Sequence, residues 1–306
     1  MSSEEQHSVR YLPHHDIDKY LWDRRIDTAS NGLVYAYSFY LDGMTDNWDA
    51  IVMNDYEAVM PLPWRIKFGT AYLYHPFLTA QLGIFGNELT AVLVKTFLNT
   101  IPKKFRYWDF PLNYKNLFVG TGYPLYVRNN LVLSLNKPHK ALQNNYKGNT
   151  RRISSKAVEN GCRIERNIAI TAIMDLSQKQ VKQICKSDWH RLEQLYAELS
   201  KRRMAETYGA FSTDGKLLSS AVFFLSHQRA YYVLAGNDPA SRSMGASHAL
   251  IDAFIRDHAE QDLLLDFEGS DIEGVAFFFR SFGANEEKYP AIRLNRLPWW
   301  LRLIKR

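Results

Sequence analysis

Cysteine is scarce in this sequence: Cys162 and Cys185 are the only two in 306 residues. Two thiols cannot build a disulfide framework or a four-thiolate zinc site. The expectation is reduced thiols in the cytoplasm. No apolar run approaches the roughly 20 residues that span a bilayer. The opening MSSEEQHSVR is polar and acidic, so a signal peptide is not expected. His14-His15, His75, His139 and His190 have no metal-ligand spacing, and no metal is expected. HExxH, GxSxG, a Walker loop and a Rossmann fingerprint are all missing. Neither a short solenoid repeat nor a low-complexity tract is visible.

What is present is a folded-protein composition, 46% hydrophobic and 23% charged. Aromatics reach 14%, enough to fill cores and line a cleft. The length suits two ordinary domains better than one. The net charge is +6, and it is local. Lys137, Lys140, Lys147, Arg151, Arg152, Lys156, Arg163 and Arg166 face only Glu159 and Glu165 in that window. Arg296, Arg302, Lys305 and Arg306 close the chain with no acid among the last eleven residues. Such patches suit local anionic contacts, or else a solvated helix face and a solubilising tail.

In the first half, 17–25 reads as a helix and 33–41, 48–53 and 58–64 as strands. Residues 87–98 have helical spacing, and 105–110 and 130–135 read as strands. Residues 139–160 read as one basic helix ending at Gly161, with a strand near 162–168 and a helix over 187–201. Then come a hairpin (208–212 and 217–226) and a third strand, 229–235. A helix over 245–259, a strand over 262–267, a helix over 270–282 capped by Ser270 and Glu273, and a strand over 289–294 follow. Strand–helix–strand–helix–strand behind antiparallel strands means a mixed sheet with helices on its faces.

At one junction a strand containing Tyr231 and Tyr232 leads through Gly236-Asn237-Asp238-Pro239 to Arg242-x-x-Gly245-Ala246-Ser247-His248. Small residues and free N–H groups at a helix start suit a pyrophosphate. They also suit close helix–sheet packing. The segment resembles the pyrophosphate loop of GNAT acyltransferases, Q/R-x-x-G-x-G/A, with Ser247 where glycine or alanine is usual. Leu265-Asp266-Phe267-Glu268-Gly269, Phe282-Gly283-Ala284 and the basic stretch Lys147 to Ala157 with Asn160-Gly161 are similar to the FemABX-like branch. The resemblance covers about residues 139 to 294. It implies an α+β fold of two GNAT-like domains, 1–138 and 139–306, with mixed central sheets flanked by helices. The first domain would be degenerate.

The resemblance implies an N-acyltransferase moving an acyl group from a CoA thioester to an amine. Two alternatives stay open: aminoacyl-tRNA-dependent transfer to a cell-wall precursor, and a non-catalytic binding protein on a degenerate scaffold. Arg242, Gly245, Ala246 and Ser247 would hold the donor. Gly245→Asp is expected to block it with the fold largely intact. Leu264, Asp266 and Glu268 alternate on one strand and so would share a face, which makes Asp266 and Glu268 candidate bases beside a structural reading for each. Tyr232 is a candidate acid. His248 is read as a packing residue. Lys147, Arg151, Arg152 and Lys156 could bind an anionic donor, tRNA or acceptor, or simply meet solvent. The tail, Pro298-Trp299-Trp300-Leu301-Arg302, then Lys305 and Arg306, could close the core or dock reversibly on the inner membrane face.

Overall fold

The computed structural model describes residues 8–180, 184–269 and 272–299. In chain order the strands are β1 (Val9–Leu12), β2 (Trp48–Met53), β3 (Ala58–Lys67), β4 (Thr70–Leu73), β5 (Phe85–Gly86), β6 (Phe105–Pro111), β7 (Leu125–Ser134), β8 (Arg163–Arg166), β9 (Ala205–Phe211), β10 (Leu217–Ser226), β11 (Arg229–Asn237), β12 (Leu264–Asp266) and β13 (Asn285–Asn295). The helices are α1 (Lys19–Thr28), α2 (Ser38–Met44), α3 (Ala91–Thr100), α4 (His139–Asn144), α5 (Thr150–Glu159), α6 (Ile170–Gln178), α7 (Lys186–Lys201), α8 (Ser241–Met244), α9 (Ala246–Asp257) and α10 (Glu273–Ser281).

The chain forms two units, one of residues 1–128 with 288–306, the other of residues 129–287. In the first, the strand order is β1-β2-β3-β4-β6-β13, antiparallel except for β4 and β6. In the second it is β8-β9-β10-β11-β12-β7, antiparallel except for β11 and β12. The two patterns are the same. Each parallel pair is joined through a helix, α3 or α9, the connection parallel strands require. Each last strand comes from the other half of the sequence. β7 follows β6 in sequence yet pairs with β12, and β13 follows β12 yet pairs with β6. A single cut at 138/139 therefore does not describe the units.

The first core gathers Ile51, Met60, Val94, Phe97, Trp108 and Ile292. Asp18 caps α1 by accepting from the Tyr20 and Leu21 N–H groups at 3.0 and 3.1 Å. Thr90 caps α3 through Leu93 N–H, three residues past the expected start at 87. The segment 33–41 is not a strand. It forms a short 3-10 turn, Val34–Ala36, and then α2. Most of it is buried, so its apolar run carries no period that separates strand from helix.

The second core gathers Leu131, Tyr208, Phe223, Leu250, Phe254 and Phe279. The expected helix over 139–160 is two, α4 and α5, broken at Gly148 with φ +59. α5 turns its small face, Thr150, Ser154 and Ala157, inward. Gly245 permits close α5–α9 contact. A Cβ there would lie 2.6 Å from Ile153 Cγ2 and 3.2 Å from its carbonyl, at φ +68. Gly245→Asp therefore cannot leave the fold intact. α10 starts at Glu273 behind Ile272, and Ser270 lies outside the described residues. So do residues 300–306 of the tail, whereas Trp299 is exposed.

Candidate active site

β11 carries one residue too many for its partner. Val222 faces Leu234 and Phe223 faces Tyr232, so Val233 forms a bulge. On the other side β11 pairs with β12 only from Arg229 to Tyr231. β12 stops at Asp266, while β11 runs on to Asn237. Beyond Tyr231 this edge has no strand partner among the described residues. Gln180 closes its far end. Asn237 N–H donates to Gln180 Oε1 at 3.2 Å, and the Gln180 amide donates to the Asn237 carbonyl. Alternate residues of a strand turn their N–H and C=O groups to the same side. Ala235 therefore presents both groups to the open edge.

A cavity of about 980 Å³ runs along that edge. It is lined by Tyr232, Ala235 and Asn237 of β11, by Arg242, Ser247 and His248, by 147–150 at the start of α5, and by Phe277, Phe278 and Phe279 of α10. Neither α5 nor α9 has a side-chain N-cap, so their first N–H groups remain as donors. Lys147 and Arg242 line the cavity with no ion-pair partner among the described residues. Asp238 is the carboxylate of the lining. Lys216 Nζ at 2.8 Å and Ala240 N–H at 3.0 Å engage it, and the Lys216 hydrogen bond holds it below the usual carboxylate range. The balance favours an anion.

Ser247 has a specific task. Its hydroxyl donates to Asn237 Oδ1 at 2.6 Å and meets Ser241 Oγ at 3.0 Å, and Ser219 Oγ donates to the same Asn237 oxygen at 2.7 Å. A glycine there could not tie the helix start to the strand end. Ala246 is fully buried and Gly245 faces Ile153, so of the loop residues Arg242 and Ser247 reach the cavity. Arg151, Arg152 and Lys156 lie exposed on α5 and do not line it.

Neither candidate carboxylate lines the cavity. Asp266 is a structural anchor with a side chain 3% exposed. It accepts from Arg229 Nη1 at 2.7 Å, Asn130 Nδ2 at 2.9 Å and Glu268 N–H at 2.7 Å. Arg229 also donates twice to Glu287, each at 2.9 Å. Burial alone would lower the Arg229 pKa, yet the Glu287 hydrogen bond and both carboxylate charges hold it above its ordinary value. Glu268 lies past the end of β12 at φ +57, so strand alternation fails and it does not share a face with Asp266.

Two proton-handling groups do line the cavity. Tyr232 packs against Phe223 at 5.3 Å, Phe279 at 5.8 Å and Phe267 at 6.2 Å. Burial pushes its phenol up, so it stays protonated. His248 stands edge-on to Phe278 at 4.8 Å and tilted on Phe282 at 5.9 Å. Burial pushes its imidazole below the ordinary value, so it stays neutral. Neither group has a hydrogen-bond partner among the described residues. Sequence reading named Tyr232 and set His248 aside. The available signal was a histidine in the first turn of the helix behind the loop.

Residues 144–274 match the sequence model of the acetyltransferase (GNAT) domain. No curated protein matches the chain in sequence. Among solved structures, FemX superposes with a TM-score of 0.65 at 13% identity, covering 94% of this chain and 98% of its own. A tandem GNAT protein from the clavulanic acid biosynthesis pathway gives 0.57 at 11% identity, covering 95% and 99%. L-PGS from Bacillus licheniformis gives 0.57 at 10%, covering 97% of each chain. At these identities the structures speak for the fold, and they agree with the duplicated sheet pattern. Residues 144–274 thus carry the match to the acetyltransferase (GNAT) domain, and the chain as a whole has a tandem GNAT-like fold.

Proposed function

We propose that the chain is an N-acyltransferase whose second unit binds an acyl-CoA and passes the acyl group to an amine. The supporting observation is the unpaired edge of β11 beside uncapped helix starts. Ala235 offers a backbone donor and acceptor to an amide-rich chain such as pantetheine. Lys147, Arg242 and the first N–H groups of α5 and α9 suit a pyrophosphate.

In this reading the amine nitrogen attacks the thioester carbonyl and gives a proton to neutral His248. The carbon–sulfur bond then breaks, and the leaving thiolate takes a proton from Tyr232. The roles follow from environment: burial lowers one pKa and raises the other, leaving a base and an acid in one cavity. Aminoacyl-tRNA as donor would use the same reacting groups with a different anion.

The test is thermal. A ligand at about 100 times its Kd adds about 2.7 kcal/mol to the folded state. For a unit of this size that is a rise of roughly 5–10 °C. Acyl-CoA is expected to give it and aminoacyl-tRNA is not. The reverse result refutes the CoA assignment, and no shift with either refutes the donor site.

A further inference from the structure

We propose that one end of the first unit's sheet docks on an anionic membrane surface. The β3–β4 hairpin turns on Phe68 and Gly69, both at positive φ (+49 and +69), with Lys67 paired to Thr70. Asparagine or glycine is favoured at such positions, and an aromatic residue there is strained. Ile66 and Phe68 are nevertheless 64% and 66% exposed. Folding does not explain an apolar side chain at the tip of a turn that prefers a small polar one.

The register brings a second segment to the same end. β4 runs parallel to β6, Ala71 facing Phe105, so the hairpin tip lies at the start of β6. β13 is antiparallel to β6, with Asn295 facing Tyr107 and Arg296 N–H donating to the Arg106 carbonyl. Its end therefore lies there too, two strand spacings or about 10 Å from β4. Trp299, 76% exposed, follows directly.

The charge is of one sign. The nearby acids are taken: Asp46 pairs with Arg65, and Asp49 with Lys104 at 3.4 Å. Lys67, Lys103, Arg106 and Arg296 are exposed and have no ion-pair partner among the described residues. Exposed apolar tips beside cations that lack an ion-pair partner, Lys67 over the Phe68 ring and Arg296 over the Trp108 ring, match a bilayer of anionic headgroups over hydrocarbon. A nucleic acid would satisfy the cations and leave Ile66 in water.

The test is co-sedimentation of the full chain with phosphatidylcholine vesicles, with and without phosphatidylglycerol. Binding is expected only to the anionic vesicles and should weaken with salt. Lys67→Gln with Arg296→Gln should weaken it roughly 25-fold, about fivefold per cation. Phe68→Asn suits the turn, so it cannot act by unfolding, and should weaken binding roughly tenfold. A chain ending at Trp299 should still bind. Equal partitioning of these substituted chains and the wild type overturns the proposal, as does loss of all binding on truncation. Loss of tRNA binding with vesicle binding intact assigns the face to nucleic acid and also overturns it.

Discussion

Replacing Asp266 with asparagine separates two roles that a carboxylate at a strand end can play. The side chain is nearly inaccessible and accepts three hydrogen bonds, from Arg229, Asn130 and the Glu268 backbone. Asparagine keeps the shape. It also turns an NH₂ donor toward the guanidinium, 2.7 Å away in the wild type, or toward the other two donors. One charge-assisted hydrogen bond is lost, worth about 1.5–3 kcal/mol. Arg229 keeps Glu287, so the full cost of about 3–5 kcal/mol for orphaning a buried ion is not reached. We expect about 2–3 kcal/mol. At roughly 2–4 °C per kcal/mol for a unit of this size, melting should fall by about 4–12 °C. Acyl transfer by the folded fraction, assayed well below melting, should change less than about threefold. An unchanged melting temperature with a 10²-fold loss of turnover, the scale of a lost base, would refute the structural reading.

His248→Asn should lower kcat about 10²-fold with acyl-CoA affinity nearly unchanged, and should remove the acid-side fall of the pH–rate profile; that fall lies below about pH 6.5 in the wild type, because burial lowers the imidazole. Gly245→Ala should cost about 2–4 kcal/mol in denaturant titration, from a Cβ at 2.6 Å from Ile153 Cγ2 and a left-handed φ. Adding Ile153→Ala should not repair the backbone part. Buried His258 sits 3.1 Å from Glu206. Burial alone would lower its pKa, but Glu206 raises it, while the His258 hydrogen bond lowers that of Glu206. The pair therefore stabilises fully between about pH 4.5 and 6.5. Stability should fall as pH rises through the raised His258 value, at no more than about 1.4 kcal/mol per pH unit. His258→Gln should flatten that limb.

Strong local signals were legible. The hairpin β9–β10, the strand β11, the helix α9 and the loop between them follow from period, turn residues and glycine placement. The exchange of last strands was not, because no local pattern tells β7 to leave β6 for β12. Nor were the 3-10 turn Val34–Ala36 and α2, whose buried apolar run has no readable period. Tyr232 was found because a strand face predicts it. His248 was set aside as a packing residue, and it does pack against Phe278 and Phe282; that it also lines the cavity is not visible one-dimensionally. Glu268 was misplaced by one assumption, that the strand runs past residue 266; Asp266 does lie on the strand, but buried against Arg229 and not in the cavity. A left-handed residue at 268 breaks the alternation on which the shared face depended.

The central claim is that an acyl-CoA lies along the open edge of β11. Amide hydrogen exchange with and without acyl-CoA tests it directly. The account predicts slowed exchange at Ala235 and at the first N–H groups of α9, Ala246 to His248, with β1 and β2 unchanged. Unchanged exchange at all of these amides under saturating acyl-CoA, or protection confined to the first unit, would contradict it.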